Sequence, residues 1–422
     1  MEQFISNFNS ISYTLFVLLY LYQFFYIFVS LFFRKKEEVR RNIPEEKKHR
    51  YAFMIAARNE SSVIAPLIES IRKQNYPADL IQVFVVADNC TDDTAEVARG
   101  AGAVVYERFN QTAIGKGYAL NYGFHQVFQD YGEKAFDGFF IFDADNLLSE
   151  NYVKAMNSVF NKGYAAVTSY RNSKNYGTNW ISAGYSLWFL RESRYLNDAR
   201  MMLHTNCAVS GTGFLINTEV LLQNNGWNYT LLTEDIEFSV DCAIKGRKIG
   251  YARDAEFFDE QPETFHQSYK QRLRWAKGFY QVFANYGRRL IRNIFSCSFA
   301  CYDLLMTIMP ALIISIVCFG VNCGALIASA LSPTDADTLM LSVILSFVLI
   351  FVRFYLTFFL VGLITTISEW NKIRCDDAKK IRYLFTFPLF MFTYLPIAVI
   401  ALFKRVRWTP IEHKVTKKIG EI

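Results

Sequence analysis

Residues Ile11 to Phe33 form an almost unbroken apolar run, rich in aromatics and long enough as a helix to cross the roughly 30 Å hydrocarbon layer of a membrane. A cleaved secretory signal is the competing reading. It is disfavoured because no basic region precedes the run and no small-residue cleavage site follows it. The run is followed by Arg34-Lys35-Lys36 and Arg40-Arg41, whereas only Glu2 carries charge before it. Positive charge stays on the cytoplasmic side, so the following segment is expected in the cytoplasm, with the N-terminus outside and the plasma membrane as location.

Between Arg50 and about Asn293 the composition is that of a soluble domain, in which short β-rich runs alternate with helical patterns. Strands are expected at Tyr51–Ala57, Ile81–Ala87, Ala103–Tyr106 and Gly138–Phe142, and helices at Val63–Gln74, Thr94–Ala101 and Gly117–Phe128. Alternation of this kind predicts an α/β fold with a mostly parallel sheet. Ligands of such sheets bind beyond the carboxyl ends of the strands. Polar clusters stand at those ends: Arg58-Asn59-Glu60, Asp88-Asn89-Cys90 and Asp143-Ala144-Asp145.

Apolar character returns after this domain. Ser268–Arg292 sets aromatics and aliphatics between lysines and arginines at helical spacing, which suits a helix lying in a membrane interface. Cys301–Leu331 and Leu339–Ile367 are expected to span, joined by an acidic turn at Ser332–Asp337. The last run, Tyr383–Phe403, is interrupted by Pro388 and Pro396 and precedes a basic tail. It is read as interfacial or re-entrant, which keeps the tail from Lys404 in the cytoplasm. The expected organisation is therefore an N-terminal transmembrane helix (1–34), a cytoplasmic catalytic domain (35–264), interfacial helices (265–296), a transmembrane and interfacial region (297–403) and a cytoplasmic tail (404–422).

The net charge of +6 is modest, and the basic residues cluster beside apolar segments. They lack the aromatic-interleaved pattern of a nucleic-acid surface, so anionic lipids are the expected partners. The eight cysteines include no C-x-x-C pair and are read as reduced thiols, with neither zinc nor disulfides.

Asp143 and Asp145 follow the apolar run Phe139–Phe142, and two carboxylates so placed suit a hard divalent cation, Mg2+ or Mn2+, bridging phosphate oxygens. Asp88 ends another such run and suits a nucleobase imide, whereas Asp92 or Asp93 suits a helix cap. Lys116, between Gly115 and Gly117, opens a helix pattern whose free amides would meet a phosphate. Thr233-Glu234-Asp235 offers a carboxylate base, although acids at a helix start are stabilising in their own right. Gln271-Arg272-Leu273-Arg274-Trp275 combines an amide, two guanidinium groups and an indole, which suit a diphosphate and a sugar ring. Trp275 as a simple interfacial anchor is the bland alternative.

Taken in order, these motifs resemble the processive, membrane-embedded family 2 glycosyltransferases, the group of cellulose, hyaluronan, chitin and poly-N-acetylglucosamine synthases. The resemblance implies a nucleotide-sugar-binding α/β domain of the GT-A kind. It assigns the base to Asp235 within Thr233-Glu234-Asp235 and the metal to Asp145. Donor contacts fall to Asp88, Lys116, Asp143, Gln271, Arg272 and Arg274, and the terminal acceptor sugar to Trp275. Val415-Thr416-Lys417-Lys418 resembles the V-T-x-K core of the cellulose-synthase gating loop, with Val415, Thr416 and Lys418 as the gating residues, although His413 stands where that loop begins with Phe. The implied reaction is inverting, processive polymerisation of UDP-glucose into a β-glucan, cellulose or mixed β-1,3/1,4, with passage across the membrane. Another polysaccharide, or a lipid acceptor without processivity, remains open. Three spans are few for a polymer path, so either the last apolar run contributes or several chains associate.

Overall fold

The computed structural model of the protein describes residues 2–34, 47–296, 298–331, 336–410 and 419–421. The chain begins with helix α1 (Glu2–Phe32), then alternates β1 (Tyr51–Ala57), α2 (Ile64–Arg72), β2 (Ile81–Asp88), α3 (Thr94–Gly100), β3 (Val104–Arg108), α4 (Lys116–Tyr131) and β4 (Gly138–Asp143). There follow β5 (Leu147–Leu148), α5 (Tyr152–Phe160), β6 (Ala166–Ser173), α6 (Trp180–Arg191), a π-helical turn at Glu192–Asn197, α7 (Asp198–Met202), β7 (Phe214–Asn217) and α8 (Thr218–Gln223). After α9 (Glu234–Ile244) and β8 (Ile249–Asp259) come the helices α10 (Phe265–Phe295), α11 (Phe299–Ile308), α12 (Pro310–Ala330), α13 (Ala336–Ser368), α14 (Asp377–Phe392) and α15 (Tyr394–Phe403).

The strands form one sheet in the order β3-β2-β1-β4-β7-β6-β8-β5. β1 is buried along nearly its whole length, as a continuous apolar strand in the middle of a parallel sheet must be. Helices α2, α3 and α5 cover one face through Leu67, Ile71, Ala98 and Val153. Helices α4, α6 and α9 cover the other through Leu120, Phe124, Leu187 and Phe238. All four strands expected from the sequence are present. The mostly parallel expectation holds, in β3-β2-β1-β4 and again where β6 pairs with β8. β7 returns from the α6–α7 excursion and inserts antiparallel between β4 and β6, and β5 pairs antiparallel with β8, so the sheet is mixed.

Among the described residues four helices are long and apolar enough to cross a membrane: Gln3–Phe32, Ile313–Ala330, Met340–Ser368 and Asp377–Phe403. The segment expected as one span from Cys301 is broken at Met309, because a proline fits the first turn of a helix and not its interior. The last run, expected as interfacial or re-entrant, is also long and apolar enough to span, and its two segments, parted at Thr393, both rest on the catalytic unit. Phe390 packs 4.9 Å from Tyr185 of α6, and Tyr280 of α10 donates to the Ala398 carbonyl at 3.0 Å. At the other side α1 is tied down by a buried ion pair. Arg200 contacts Asp303 twice at 2.7 Å, and the Tyr22 and Tyr26 hydroxyls each donate to Asp303 at 2.9 Å.

Candidate active site

A cleft opens where β1, β2 and β4 end, walled on the far side by the start of α9 and one face of α10. Asp88, the last residue of β2, is 4% exposed and ion-pairs with Arg108, whose other nitrogen donates to the Ala113 carbonyl at 2.7 Å. The two loops beside it turn through left-handed residues, Asn59 (φ 58°) and Asn89 (φ 53°). Their side-chain oxygens repay that conformation by accepting from Thr91 N and Asn110 N, each at 2.8 Å. Lys116, at the first position of α4, ion-pairs with Asp143 and donates to the Gly211 carbonyl at 2.8 Å.

Asp145 is 4% exposed and is fixed by the Glu260 amide, which donates to it at 2.9 Å. Asp259 lies alongside, held by Arg171 at 2.6 Å. Burial pushes its carboxyl up to about 6, against the pull of Arg171 and with the help of the Asp145 charge. Among the described residues no group of three or more His, Cys, Asp or Glu side chains forms a ready-made metal cage. Magnesium and manganese need none, since one or two carboxylates plus substrate phosphates and water suffice for such hard cations. The oxygen donors of Asp143 and Asp145 fit that use.

Thr233-Glu234-Asp235 does start a helix, as its bland reading required, and the same geometry fixes the carboxylates. Asp235 accepts from the Gly211 amide at 2.6 Å. Burial raises its pKa, opposed by the amides of Ile236 and Gly211 and by Lys116. Glu234 is pushed up to about 7, by burial first and then by the charge of Asp235. Gly278 of α10 lets this segment sit close, because a Cβ there would stand 2.5 Å from Thr233 Cγ2.

On α10, Gln271, Arg274 and Trp275 lie at i, i+3 and i+4, the spacing that shares one helix face, and all three line the cleft. Trp275 meets Tyr185 and Phe189 edge-to-face at 5.7 and 6.1 Å. Gln271 Oε1, Arg274 Nε and Thr233 Oγ1 are buried without a hydrogen-bond partner among the described residues. Buried polar atoms are normally paired, and these three, gathered around one cleft, are placed to meet a polar ligand. Arg272 differs from its expected donor role. It points to the opposite side and donates to the Phe390 carbonyl at 3.1 Å and to Thr393 Oγ1 at 2.7 Å, because one residue along a helix turns the side chain by about 100°.

The structure thus brings Asp88, Lys116, Asp143, Asp145, Thr233, Glu234, Asp235, Gln271, Arg274 and Trp275 to one cleft and leaves Arg272 outside it. Val415, Thr416 and Lys418 lie outside the described residues. Arg58 and Glu60, from the polar cluster at the end of β1, also line the cleft, and cleft residues not anticipated include Arg171, Asp259, Glu260 and Trp408. Asp259 and Glu260 follow a β-rich run, the same signal that singled out Asp88. Arg171 sits mid-strand, and Trp408, 5.5 Å from the Arg58 guanidinium, comes from a tail whose path no local pattern foretells.

A family model described as "Glycosyltransferase like family 2" matches residues 49–278. The chain is similar to the beta-monoglucosyldiacylglycerol synthase of Synechocystis, 25% identical over 56% of this chain and 49% of that protein. It is also similar to the poly-beta-1,6-N-acetyl-D-glucosamine synthase of Staphylococcus epidermidis, 25% identical over 60% of this chain and 61% of that one. The chain therefore spans about half to three fifths of the length of these relatives. Among solved structures, a mannosyltransferase from Pyrobaculum calidifontis in complex with GDP-Man and Mn2+ superposes with a TM-score of 0.57 at 15% identity, covering 94% of this chain and 99% of that one. At that identity the likeness shows the shared GT-A fold.

Proposed function

The chain belongs to glycosyltransferase family 2, and from that premise we propose that it is a membrane-bound inverting hexosyltransferase, taking the sugar of a UDP-sugar, UDP-glucose first among them. The observation that carries this reading is the meeting, in one cleft, of Asp235 with the unpartnered Gln271 Oε1 and Arg274 Nε. Asp235, aimed by the Gly211 amide, takes the proton of the acceptor hydroxyl as that oxygen attacks the anomeric carbon from the face opposite the diphosphate. The α bond breaks, a β bond forms, and the diphosphate leaves. Inverting hydrolases need a second carboxylic acid to protonate the departing oxygen, but a diphosphate leaves as a stable anion. Arg274 and Lys116 supply positive charge beside it, with Arg274 suited to a forked contact with phosphate oxygens. Asp145, with Asp143, would hold Mg2+ or Mn2+, which supplies further neutralisation of the diphosphate. Asp88 offers an acceptor oxygen to the nucleobase, and Trp275 a face for the acceptor sugar.

In the favoured form the acceptor is the growing end of a β-glucan, the catalytic unit faces the cytoplasm and the apolar helices cross the plasma membrane. A second reading, a lipid acceptor, is favoured by the aromatic seam that runs from Trp275 through Tyr185 to Phe390 of α14, and by similarity to a glucosyl-lipid synthase. Similarity to a poly-N-acetylglucosamine synthase keeps a different polymer in view. Purified protein in lipid nanodiscs, given UDP-glucose and UDP-N-acetylglucosamine separately, separates these. Solvent-insoluble product cut by β-glucanases is expected. A lipid-soluble glucoside as the sole product would overturn the polymer reading, and no UDP release from either donor would overturn the proposal entirely.

A further inference from the structure

Arg171 lines the cleft from β6, and its side chain is locked on three sides. Its Nε donates to Asp259 at 2.6 Å, a second nitrogen ion-pairs with the same carboxylate, and Nη1 donates to the Ser210 carbonyl at 3.1 Å. The guanidinium carbon stands 3.5 Å from the centre of the Phe189 ring. A planar cation stacked on a ring and forked on a carboxylate has its remaining direction fixed. That direction is the Ser210 carbonyl.

The Ser210 carbonyl and the Gly211 amide belong to one planar peptide unit. Its oxygen accepts from Arg171, and its N–H donates to Asp235 at 2.6 Å. A positive charge at the oxygen end polarises the unit and strengthens the donor at the other end. The orientation of this plane is not set by packing. Gly211 has φ 76°, in the left-handed region that glycine enters as readily as the right-handed one, and a Cβ added to it would meet nothing within 4 Å. Hydrogen bonds therefore decide which way the unit faces. Inside the turn Thr212 N also donates to the Ser210 carbonyl at 2.9 Å, and Lys116 holds the next carbonyl, that of Gly211, at 2.8 Å. Arg171 is what ties the Ser210–Gly211 unit to the sheet.

We infer that Arg171 is a positioning residue for the base: through the Ser210–Gly211 peptide it sets the amide that aims Asp235 at the acceptor hydroxyl. The inference rests on the reading of Asp235 as base. Without the guanidinium the peptide plane is free to turn, and Asp235 loses the donor that holds it. Asp145 is fixed separately by the Glu260 amide at 2.9 Å, so the effect falls on the chemical step and not on donor binding.

The test uses full-length protein in lipid nanodiscs, with UDP release as the activity. In Arg171→Ala, kcat is expected to fall by about ten- to a hundredfold while donor KM changes far less. Millimolar guanidinium is expected to restore part of that rate, and to restore none in Asp235→Asn. In the absence of any donor, hydrogen exchange at the Gly211 amide is expected to quicken at least about fivefold in Arg171→Ala. Since that variant takes from Asp259 its ion-pair partner and is exposed to misfolding, Arg171→Lys serves as the second variant. It keeps a charge beside Asp259 without the fork, and is expected to show a smaller fall in kcat at the same KM. Unchanged kcat in Arg171→Ala, or in Arg171→Lys where the alanine variant does not fold, a raised KM in place of a lowered kcat, or unchanged exchange at Gly211 would each overturn the inference. Absence of UDP release from the unmutated protein would instead overturn the proposed function, and exchange at Gly211 would still decide whether Arg171 holds the peptide.

Discussion

Gly278→Ala tests whether the contact between α10 and the start of α9 sets the catalytic base. The added Cβ would stand 2.5 Å from Thr233 Cγ2, 2.6 Å from its Oγ1 and 3.0 Å from its Cβ. Thr233 is 3% exposed, and a β-branched side chain is stiff about χ1, so the conflict is relieved by moving one helix against the other. Overpacking of this kind costs about 1–3 kcal/mol, and alanine returns about 0.5–1 kcal/mol of helix preference over glycine. The net loss of stability is therefore small, a few degrees in Tm. Catalysis is less tolerant, because a displacement of about 1 Å costs on the order of a hundredfold in rate, and Asp235 lies two residues from Thr233. We expect kcat for UDP release to fall by about ten- to a hundredfold, with donor KM changing far less. The double variant Thr233→Ser/Gly278→Ala removes the closest atom, Cγ2, and keeps a hydroxyl free to turn from the new Cβ, so it is expected to recover part of the rate. Wild-type kcat in Gly278→Ala, or no recovery in the double variant, would refute the reasoning.

Other consequences are equally open to measurement. Asp235 acts only when ionised, so kcat/KM should fall as pH falls through the titration of the Glu234–Asp235 pair, whose Glu234 member sits at about 7. Burial raises the Asp235 carboxyl in its own right, so an acid limb should persist in Glu234→Gln, whereas Asp235→Asn should abolish transfer; loss of the acid limb in Glu234→Gln counts against Asp235 as base. Arg272→Met should cost about 1.5–3 kcal/mol of stability through its lost charged hydrogen bonds while leaving donor KM within about twofold, and a large rise in KM would contradict its position outside the cleft. Asp303→Asn leaves the 1%-exposed Arg200 uncompensated and should cost about 3–5 kcal/mol, whereas Arg200→Met/Asp303→Leu should cost less, as thermal unfolding in detergent would reveal. Chelation should abolish transfer and Mn2+ restore it, with Asp145→Asn needing much more Mn2+; full activity in chelator would exclude the metal.

The half of the sheet built from βαβ units was legible because each strand there is a continuous apolar run ending in a polar cluster, as at Phe84–Asp88 and Phe139–Asp145. β7 and β5 were not, since four- and two-residue strands such as Phe214–Asn217 and Leu147–Leu148 carry too little pattern to separate from loop. Asp235 and Trp275 were legible as chemistry, while their proximity was not, because it depends on Gly278, whose bare Cα is silent in any local reading. Arg272 shows the opposite failure. Its residue type suited a diphosphate as well as Arg274 does, and only the turn of the helix separates the two.

That turn explains why the cleft and the apolar helices cannot be understood separately. One face of α10 presents Gln271, Arg274 and Trp275 to the cleft. The neighbouring faces are committed to the last apolar pair, through Arg272 to Phe390 and Thr393, Lys277 to Ala401 and Tyr280 to Ala398, with Leu273 and Ala276 packed on Ile397 and Ala398 between them. Rotating α10 by a single residue would exchange Arg274 for Leu273 or Trp275 at the cleft wall and break each of those contacts. The α14–α15 pair therefore fixes the rotational setting of the helix that bears the cleft's cation and indole. Side chains that no local motif marks as catalytic thereby determine which members of the Gln271–Trp275 motif reach the reacting groups.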